Sequence, residues 1–310
     1  FQKGTDRLST LAEHTYFGEN ATSLRMSDLG YQNNAQADLF VCYNEVSTYI
    51  QTLKKALKTP YPKYQQIGLK VDGHYQQLNT NILQIENEYY SDIRPKRVTE
   101  SGEHPSTALQ SRGVEYIEVR IMDIDPFSSI GMSKNTLYFM DVFLVFCMLD
   151  SDNPLLEEEC HALRELQQEI ATHGRDESYL FDFGNGNVSL KDQGLTLLEK
   201  LQQVAQFLSQ QTGNENYIKA IEVEMQTFNE TSSLPSNKLL SLAEGAGSYT
   251  DAMLELAKKQ QKQWLSIPVS KEESDLFAQQ AKASLEKQDA IEAADTLDFD
   301  TYLTEYLTPQ

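Results

Sequence analysis

Between Val114 and Ile124 the chain reads VEYIEVRIMDI, and apolar and polar side chains alternate through its centre. On an extended backbone Ile117, Val119 and Ile121 point one way, while Tyr116, Glu118 and Arg120 point the other. This period of two predicts a strand in a sheet with one apolar and one polar face. The polar face carries an aromatic ring and opposed charges where Ser, Thr or Lys would be usual, so it is a candidate ligand floor. A second alternating segment, NILQIENEYY from Asn81 to Tyr90, predicts a companion strand. Leu83 and Ile85 share one of its faces; Gln84, Glu86, Glu88 and Tyr90 share the other.

Elsewhere the dominant period is helical. Val46, Ile50, Leu53 and Leu57 mark one face of a helix within residues 36–58, and Pro60 and Pro62 end it. Residues 1–35 are polar and loop-like. Beyond Leu137 the pattern is mostly helical. The apolar run Phe139–Leu149 is too short to span a bilayer and predicts a buried helix. Leu195, Leu198, Leu201, Ala205 and Leu208 recur at helical steps before a stop at Gly213. Ser270 and Glu273 form a capping-box pattern that opens a late helix. Strands followed by many helices predict an α+β fold, with sheet and site elements in residues 1–135 and a mainly helical part in 136–310.

Charge narrows the function classes. The net charge is −20, yet residues 1–120 hold 13 Lys/Arg against 14 Asp/Glu, so the acid excess lies in the later part. Such a chain repels nucleic acid and anionic lipid, while its near-neutral first part can hold a small anion such as a nucleotide. Neither a nucleic-acid nor a membrane partner is expected. Cys42, Cys147 and Cys160 form no CxxC pair, which predicts a reducing, cytoplasmic setting; a disulfide involving Cys160 stays open. The five histidines are scattered and suggest no zinc site. The chain begins at Phe1 and not at Met, so a fragment of a longer protein is expected.

Four groups of residues could carry chemistry. Glu118 and Arg120 share a strand face; a carboxylate there can hold Mg²⁺, and a guanidinium can stabilise charge on a moving phosphoryl group. A solvent-facing ion pair is the simpler alternative. The basic island Ile93-Arg-Pro-Lys-Arg97 predicts a turn in which Arg94, Lys96 and Arg97 are candidate phosphate or carboxylate contacts, or only a solvated charge run. Arg25 lies near Asp28, Gly30 and Tyr31 and can grip a carboxylate bidentately, or pair with Asp28. Tyr31 and Tyr90 offer amphipathic rings for a small polar substrate, with edge packing as the alternative for Tyr90.

The wording of these segments matters more than each alone. ATSLRMSDLGY, NILQIENEYYSDIRPKRVTESGEHPS, GVEYIEVRIMDIDPF and FMDVFLVFCML follow in that order and together resemble the C-terminal part of glutamate–cysteine ligases of the gamma-proteobacterial type. The resemblance implies one catalytic domain, spanning 1–310 as its C-terminal part, with a curved antiparallel sheet like that of glutamine synthetase and other carboxylate–amine ligases. It implies ATP-dependent joining of L-glutamate to L-cysteine through γ-glutamyl phosphate, with ATP and Mg²⁺ required. By the same resemblance Glu118 matches a Mg²⁺ ligand, Arg120 an arginine at the transferring phosphoryl group, and Arg25 an arginine on a substrate carboxylate. Tyr31 and Tyr90 match walls of the cysteine pocket. The family's other metal carboxylates lie upstream of the matched strings, which implies that an N-terminal part of the same chain is missing and that this piece alone lacks activity. A ligase with a different acceptor amine, or a non-catalytic binding module on the same sheet, would also fit these strings.

Overall fold

The computed structural model describes residues 7–31, 33–37, 39–100, 102–150, 154–184 and 186–308. The chain opens with an antiparallel hairpin of β1 (Ser9–Ala12) and β2 (Thr15–Phe17), where the sequence predicts a loop. Helices α1 (Val46–Ala56) and α2 (Pro62–Ile67) follow, then a short hairpin of β3 (Lys70–Val71) and β4 (His74–Tyr75). Strand β5 (Ile93–Lys96), helix α3 (Pro105–Arg112) and strand β6 (Tyr116–Val119) complete the first part. After α4 (Lys134–Leu149) and α5 (Glu157–His173) comes a last hairpin, β7 (Leu180–Asp182) and β8 (Asn187–Ser189). Helices α6 (Leu190–Thr212), α7 (Asn216–Asn229), α8 (Pro235–Ala246), α9 (Tyr249–Leu265), α10 (Lys271–Ala294) and α11 (Phe299–Leu307) end the chain. The architecture is α+β, as the sequence predicts. Its strands, however, pair as four separate two-stranded antiparallel ladders among the described residues and not as one curved sheet.

The main departure lies at Asn81–Tyr90, which is not a strand. It is an irregular run with one 3₁₀ turn at Glu86–Glu88. Its polar side chains bond locally in place of a neighbouring strand. Asn79 Nδ2 donates to the Gln84 carbonyl at 2.9 Å, Gln84 Oε1 accepts from Leu78 N–H at 2.8 Å, and Glu88 Oε2 accepts from Gln84 N–H at 2.7 Å. Side chains of this type compete with ladder bonds for the backbone. Glu86, expected on an open polar face, is buried, and both its oxygens accept from Ser106, from the N–H and the hydroxyl, at 2.6 Å. That carboxylate satisfies a free N–H in the first turn of α3. The basic segment is likewise not a turn: it is β5, paired with β6.

Two hydrophobic clusters hold the chain. In the first, α1 buries Tyr49, Ile50, Leu53 and Ala56 against Val41, Leu83, Tyr89 and Leu109. The buried stripe is rotated from the expected one, because Tyr49 turns inward and Val46 is exposed. Burial pushes the Tyr49 and Tyr89 phenols well above the ordinary tyrosine range, so both stay protonated donors. In the second, Val142 of α4 meets Leu198, Leu201 and Ala205 of α6 and Ile221 of α7, ringed by Phe139, Phe143 and Phe146. Helix α4 is thus buried along one side only; Met148 and Leu149 at its end are exposed. Helix α10 starts at the expected Ser270 and Glu273 capping box but buries none of its residues. Helix α11 returns to the first part: Asp300 accepts from Lys70 Nζ at 2.7 Å, and His104 stacks on Tyr306 with ring centroids 4.5 Å apart. Among the described residues no helix is long and apolar enough to cross a membrane.

Helices α6 and α7 cross closely at Gly194, where a Cβ would overlap the Phe228 ring. Alanine is intrinsically better than glycine inside a helix by about 1 kcal/mol, but overpacking costs about 1–3 kcal/mol. Gly194→Ala is therefore expected to lower the thermal unfolding midpoint, against helix propensity. A raised midpoint would mean that Phe228 swings clear.

Candidate functional site

The site is organised by the pairing of β5 with β6. Ile93 lies opposite Val119, Arg94 opposite Glu118, Pro95 opposite Ile117 and Lys96 opposite Tyr116. One further bond, from Arg120 N–H to the Asp92 carbonyl at 2.7 Å, extends the ladder. Glu118 and Arg120 therefore share a face with Lys96 and Arg94. Glu118 Oε1 is 3.8 Å from Arg120 Nε, and Oε2 is 3.6 Å from Lys96 Nζ. The Glu118 side chain is 38% exposed, yet its Oε2 is shielded and has no hydrogen-bond partner. The ion pair expected as the plain alternative exists, but its geometry is loose, and it gives this oxygen no hydrogen bond.

Arg25 reaches the same face from another direction. Its segment is tied to the end of α5: Thr22 N–H donates to the Ala171 carbonyl at 2.9 Å, and Thr22 Oγ1 to the Ile170 carbonyl at 2.9 Å. Those carbonyls lie in the last turn of a helix, where intrahelical donors run out. The chain then folds tightly, so that Tyr31 N–H donates to the Arg25 carbonyl at 2.7 Å. Gly30 allows this approach, since a Cβ there would overlap the carbonyl oxygens of Leu24 and Arg25. Arg25 Nε donates to the Arg120 carbonyl at 3.0 Å. It is not paired with Asp28, which instead meets Arg7.

Tyr31 is the point where these parts meet. Arg25 Cζ lies 4.3 Å and Arg120 Cζ 5.3 Å from its ring centroid. The Tyr90 ring lies 4.5 Å away at an interplanar angle of 34°. Tyr90 follows the 3₁₀ turn that Glu86 anchors, and it is half-exposed while its neighbour Tyr89 is buried. Cation–π contacts of this kind contribute about 0.5–1 kcal/mol each near a surface.

The structure thus brings together Arg25, Tyr31, Tyr90, Glu118, Arg120 and Lys96. It does not bring Arg94 and Arg97 to the open side of the cluster. Arg94 is buried and donates to Ser91 Oγ at 3.2 Å and to the Asn87 carbonyl at 3.1 Å. Arg97 donates to the Gly113 carbonyl at 2.9 Å and to the Arg112 carbonyl, and lies 3.5 Å from Glu115. Both hold backbone in place, and neither is retained as a ligand contact. Sequence reasoning missed Gln36. It is buried, and its amide bonds the backbone on both sides of Tyr89, at the Glu88 carbonyl and the Tyr90 N–H. No periodicity or motif marks it.

Chemically the cluster is an anion site with aromatic walls. Two cations, Arg120 and Lys96, flank one carboxylate, and a third, Arg25, lies against the Arg120 carbonyl; this excess of positive charge favours phosphate or carboxylate groups. Glu118 Oε2 could serve one position on a divalent cation, but among the described residues no three His, Cys, Asp or Glu side chains form a metal-binding group. These residues fit a single ligand and not a complete metal site.

The chain is helix-rich α+β, with arginines and tyrosines gathered on the β5–β6 face. Comparison with known proteins places it in a family. The glutamate–cysteine ligase family model matches residues 1–170, and the chain belongs to that family. It is 41% identical to glutamate–cysteine ligase of Hahella chejuensis, over 99% of this chain and 60% of the relative. It is 42% identical to that of Pseudomonas paraeruginosa, over 97% of this chain and 57% of the relative. The chain thus spans about 60% of the length of the curated relatives it matches. Among solved structures, glutamate–cysteine ligase of Francisella tularensis in complex with AMP superposes with a TM-score of 0.90 at 34% identity, covering 97% of this chain and 60% of that one. A bifunctional glutathione synthetase from Pasteurella multocida shares the fold at a TM-score of 0.58 and 22% identity, covering 82% of this chain and 28% of that one.

Gly30→Ala is expected to open the turn that seats Arg25 against Arg120, while the helical clusters persist. Far-ultraviolet circular dichroism should stay unchanged, and the near-ultraviolet tyrosine signal, to which the Tyr31–Tyr90 pair contributes, should change. An unaltered near-ultraviolet spectrum would show that the turn relaxes without moving the site.

Proposed function

We propose that the intact protein is an ATP-dependent carboxylate–amine ligase that joins the γ-carboxylate of L-glutamate to the amine of L-cysteine, the first step of glutathione synthesis. The observation that carries this reading is the convergence of Arg25, Tyr31, Tyr90, Glu118 and Arg120, from three separate segments, on one face of a chain of this family. The AMP bound by the Francisella relative supports a nucleotide substrate.

In the proposed reaction the glutamate γ-carboxylate attacks the terminal phosphorus of ATP, forming γ-glutamyl phosphate and releasing ADP. The cysteine amine then attacks the acyl carbon and phosphate leaves. Arg120 stands where charge on the moving phosphoryl group can be met by a fixed guanidinium. Arg25 is held at Nε by the Arg120 carbonyl, and in the proposed reaction its terminal nitrogens would meet a substrate carboxylate. Tyr31 and Tyr90 form the amphipathic wall on which the amino-acid acceptor rests. Mg²⁺, when bound, would neutralise phosphate oxygens; Glu118 would supply one ligand, and the others would come from outside this cluster.

In the intact protein, ADP release is expected to require glutamate, and γ-glutamylcysteine is expected to form only when cysteine is added. Release of AMP and pyrophosphate, or faster turnover with a different amine, would overturn the reaction or the acceptor.

Arg120→Ala is expected to lower turnover about 10²–10³-fold with a smaller effect on binding. Glu118→Gln keeps the shape and loses the charge, so the Mg²⁺ concentration for half-maximal rate should rise as the rate falls. A solvent-facing ion pair forecasts near-wild-type Mg²⁺ curves for both variants, and that result would remove these residues from the reaction.

A further inference from the structure

Gln36 is 6% exposed and ends a short 3₁₀ turn, Asn34–Gln36, which is capped where the Asn33 side chain accepts from Ala35 N–H at 2.9 Å. Its amide is used at both ends. Nε2 donates to the Glu88 carbonyl at 2.9 Å, and Oε1 accepts from Tyr90 N–H at 2.8 Å. These are the two backbone groups on either side of Tyr89, in a run that has no neighbouring strand to pair with them. A buried primary amide is well suited to this task, since it offers a donor and an acceptor in one plane. Tyr89 is held by the first hydrophobic cluster, and Gln36 holds the next peptide, from which the half-exposed Tyr90 ring projects toward Tyr31.

We infer that Gln36 is the positioning residue for the acceptor side of the site: by clamping the Glu88 carbonyl and the Tyr90 N–H, it sets the Tyr90 wall against which the acceptor amino acid binds. The inference rests on the proposed ligase reading and adds a residue that touches neither substrate. Gln36 bonds no atom of Glu118, Arg120 or Arg25, whereas its two partners lie at the base of Tyr90. Its loss should therefore weaken use of the acceptor while leaving formation of the acyl phosphate intact.

The test uses the intact protein with Gln36→Glu, which keeps the acceptor for Tyr90 N–H but lacks the donor for Glu88, and Gln36→Met, which keeps the bulk and lacks both. Steady-state constants are measured for cysteine and ATP. Acyl-phosphate formation is read separately by trapping with hydroxylamine, a nucleophile too small to need the wall. The Michaelis constant for cysteine should rise about tenfold, the loss expected for one well-made hydrogen bond. The ATP constant and the hydroxamate rate should stay unchanged. In a Tyr90→Ala background, Gln36→Met should add nothing further, since both changes act through one ring. A parallel fall in the cysteine and hydroxylamine reactions, additive effects with Tyr90→Ala, an unchanged cysteine constant, or loss of soluble protein from both variants would each overturn the inference. Wild-type protein that forms no γ-glutamylcysteine would overturn the ligase reading and this inference with it, which separates that failure from the others.

Discussion

The register of β5 on β6 is the constraint on which the site depends. Arg94 opposite Glu118 places every charged side chain of the ladder on one face. A slip of one residue would send Glu118 and Arg120 to the other side and present Ile117 and Val119 in their place. A two-stranded ladder is a weak specifier by itself, so the register needs anchors outside it. Arg97 grips the carbonyls of Arg112 and Gly113 at one end, and the Arg120 N–H bonds the Asp92 carbonyl at the other. Between them the buried Arg94 ties the strand to Asn87 and Ser91. The basic island thus divides its work: Arg94 and Arg97 fix backbone, and Lys96 is left on the functional face.

The other two segments reach this face because helix ends require partners. The last carbonyls of α5 are met by Thr22, which fixes the stretch that leads to Arg25. One N–H in the first turn of α3, that of Ser106, is met by Glu86, which fixes the 3₁₀ turn that leads to Tyr90. Hydrogen bonds to a charged group commonly contribute about 1.5–3 kcal/mol and neutral ones about 0.5–1.5 kcal/mol, so the Glu86 tether in particular outweighs the loose contacts among the clustered side chains themselves. The rigidity of the site is therefore supplied from behind, by groups that no substrate would touch.

How much of this was legible follows from the kind of signal each part carries. The face shared by Glu118 and Arg120 was readable because alternation is a local consequence of an extended backbone. What that backbone packs against was not: Ile117 and Ile121 are exposed here, although the same alternation predicts them in the core. At Asn81–Tyr90 alternation misled, because Asn79, Gln84 and Glu88 bond their own backbone and Glu86 is claimed by a helix 20 residues later. The helices α6 and α10 kept their expected caps, since capping is local. The role of Gln36 was invisible because a lone amide has no period and no motif. The resemblance of long strings identified the family, but it could not separate Arg94 and Arg97 from Lys96. Burial of Arg94 and the backbone bonds of Arg94 and Arg97 do that.

The charge balance of the cluster bears on how two anionic substrates could be told apart at one place. Arg120 lies beside Glu118, which offsets part of its charge, while Arg25 is set against a carbonyl and an aromatic ring and forms no ion pair among the described residues. A guanidinium with no acidic neighbour is the better partner for a singly charged carboxylate held throughout a reaction. One that shares a carboxylate is better matched to a group whose charge rises only as a phosphoryl group moves, because its attraction in the ground state is moderated. Both lie against the Tyr31 ring, with Arg25 nearer its centroid than Arg120. The two guanidiniums therefore differ in their surroundings: Arg120 stands 3.8 Å from Glu118 Oε1, and Arg25 lies against the Tyr31 ring, which in turn meets the Tyr90 ring.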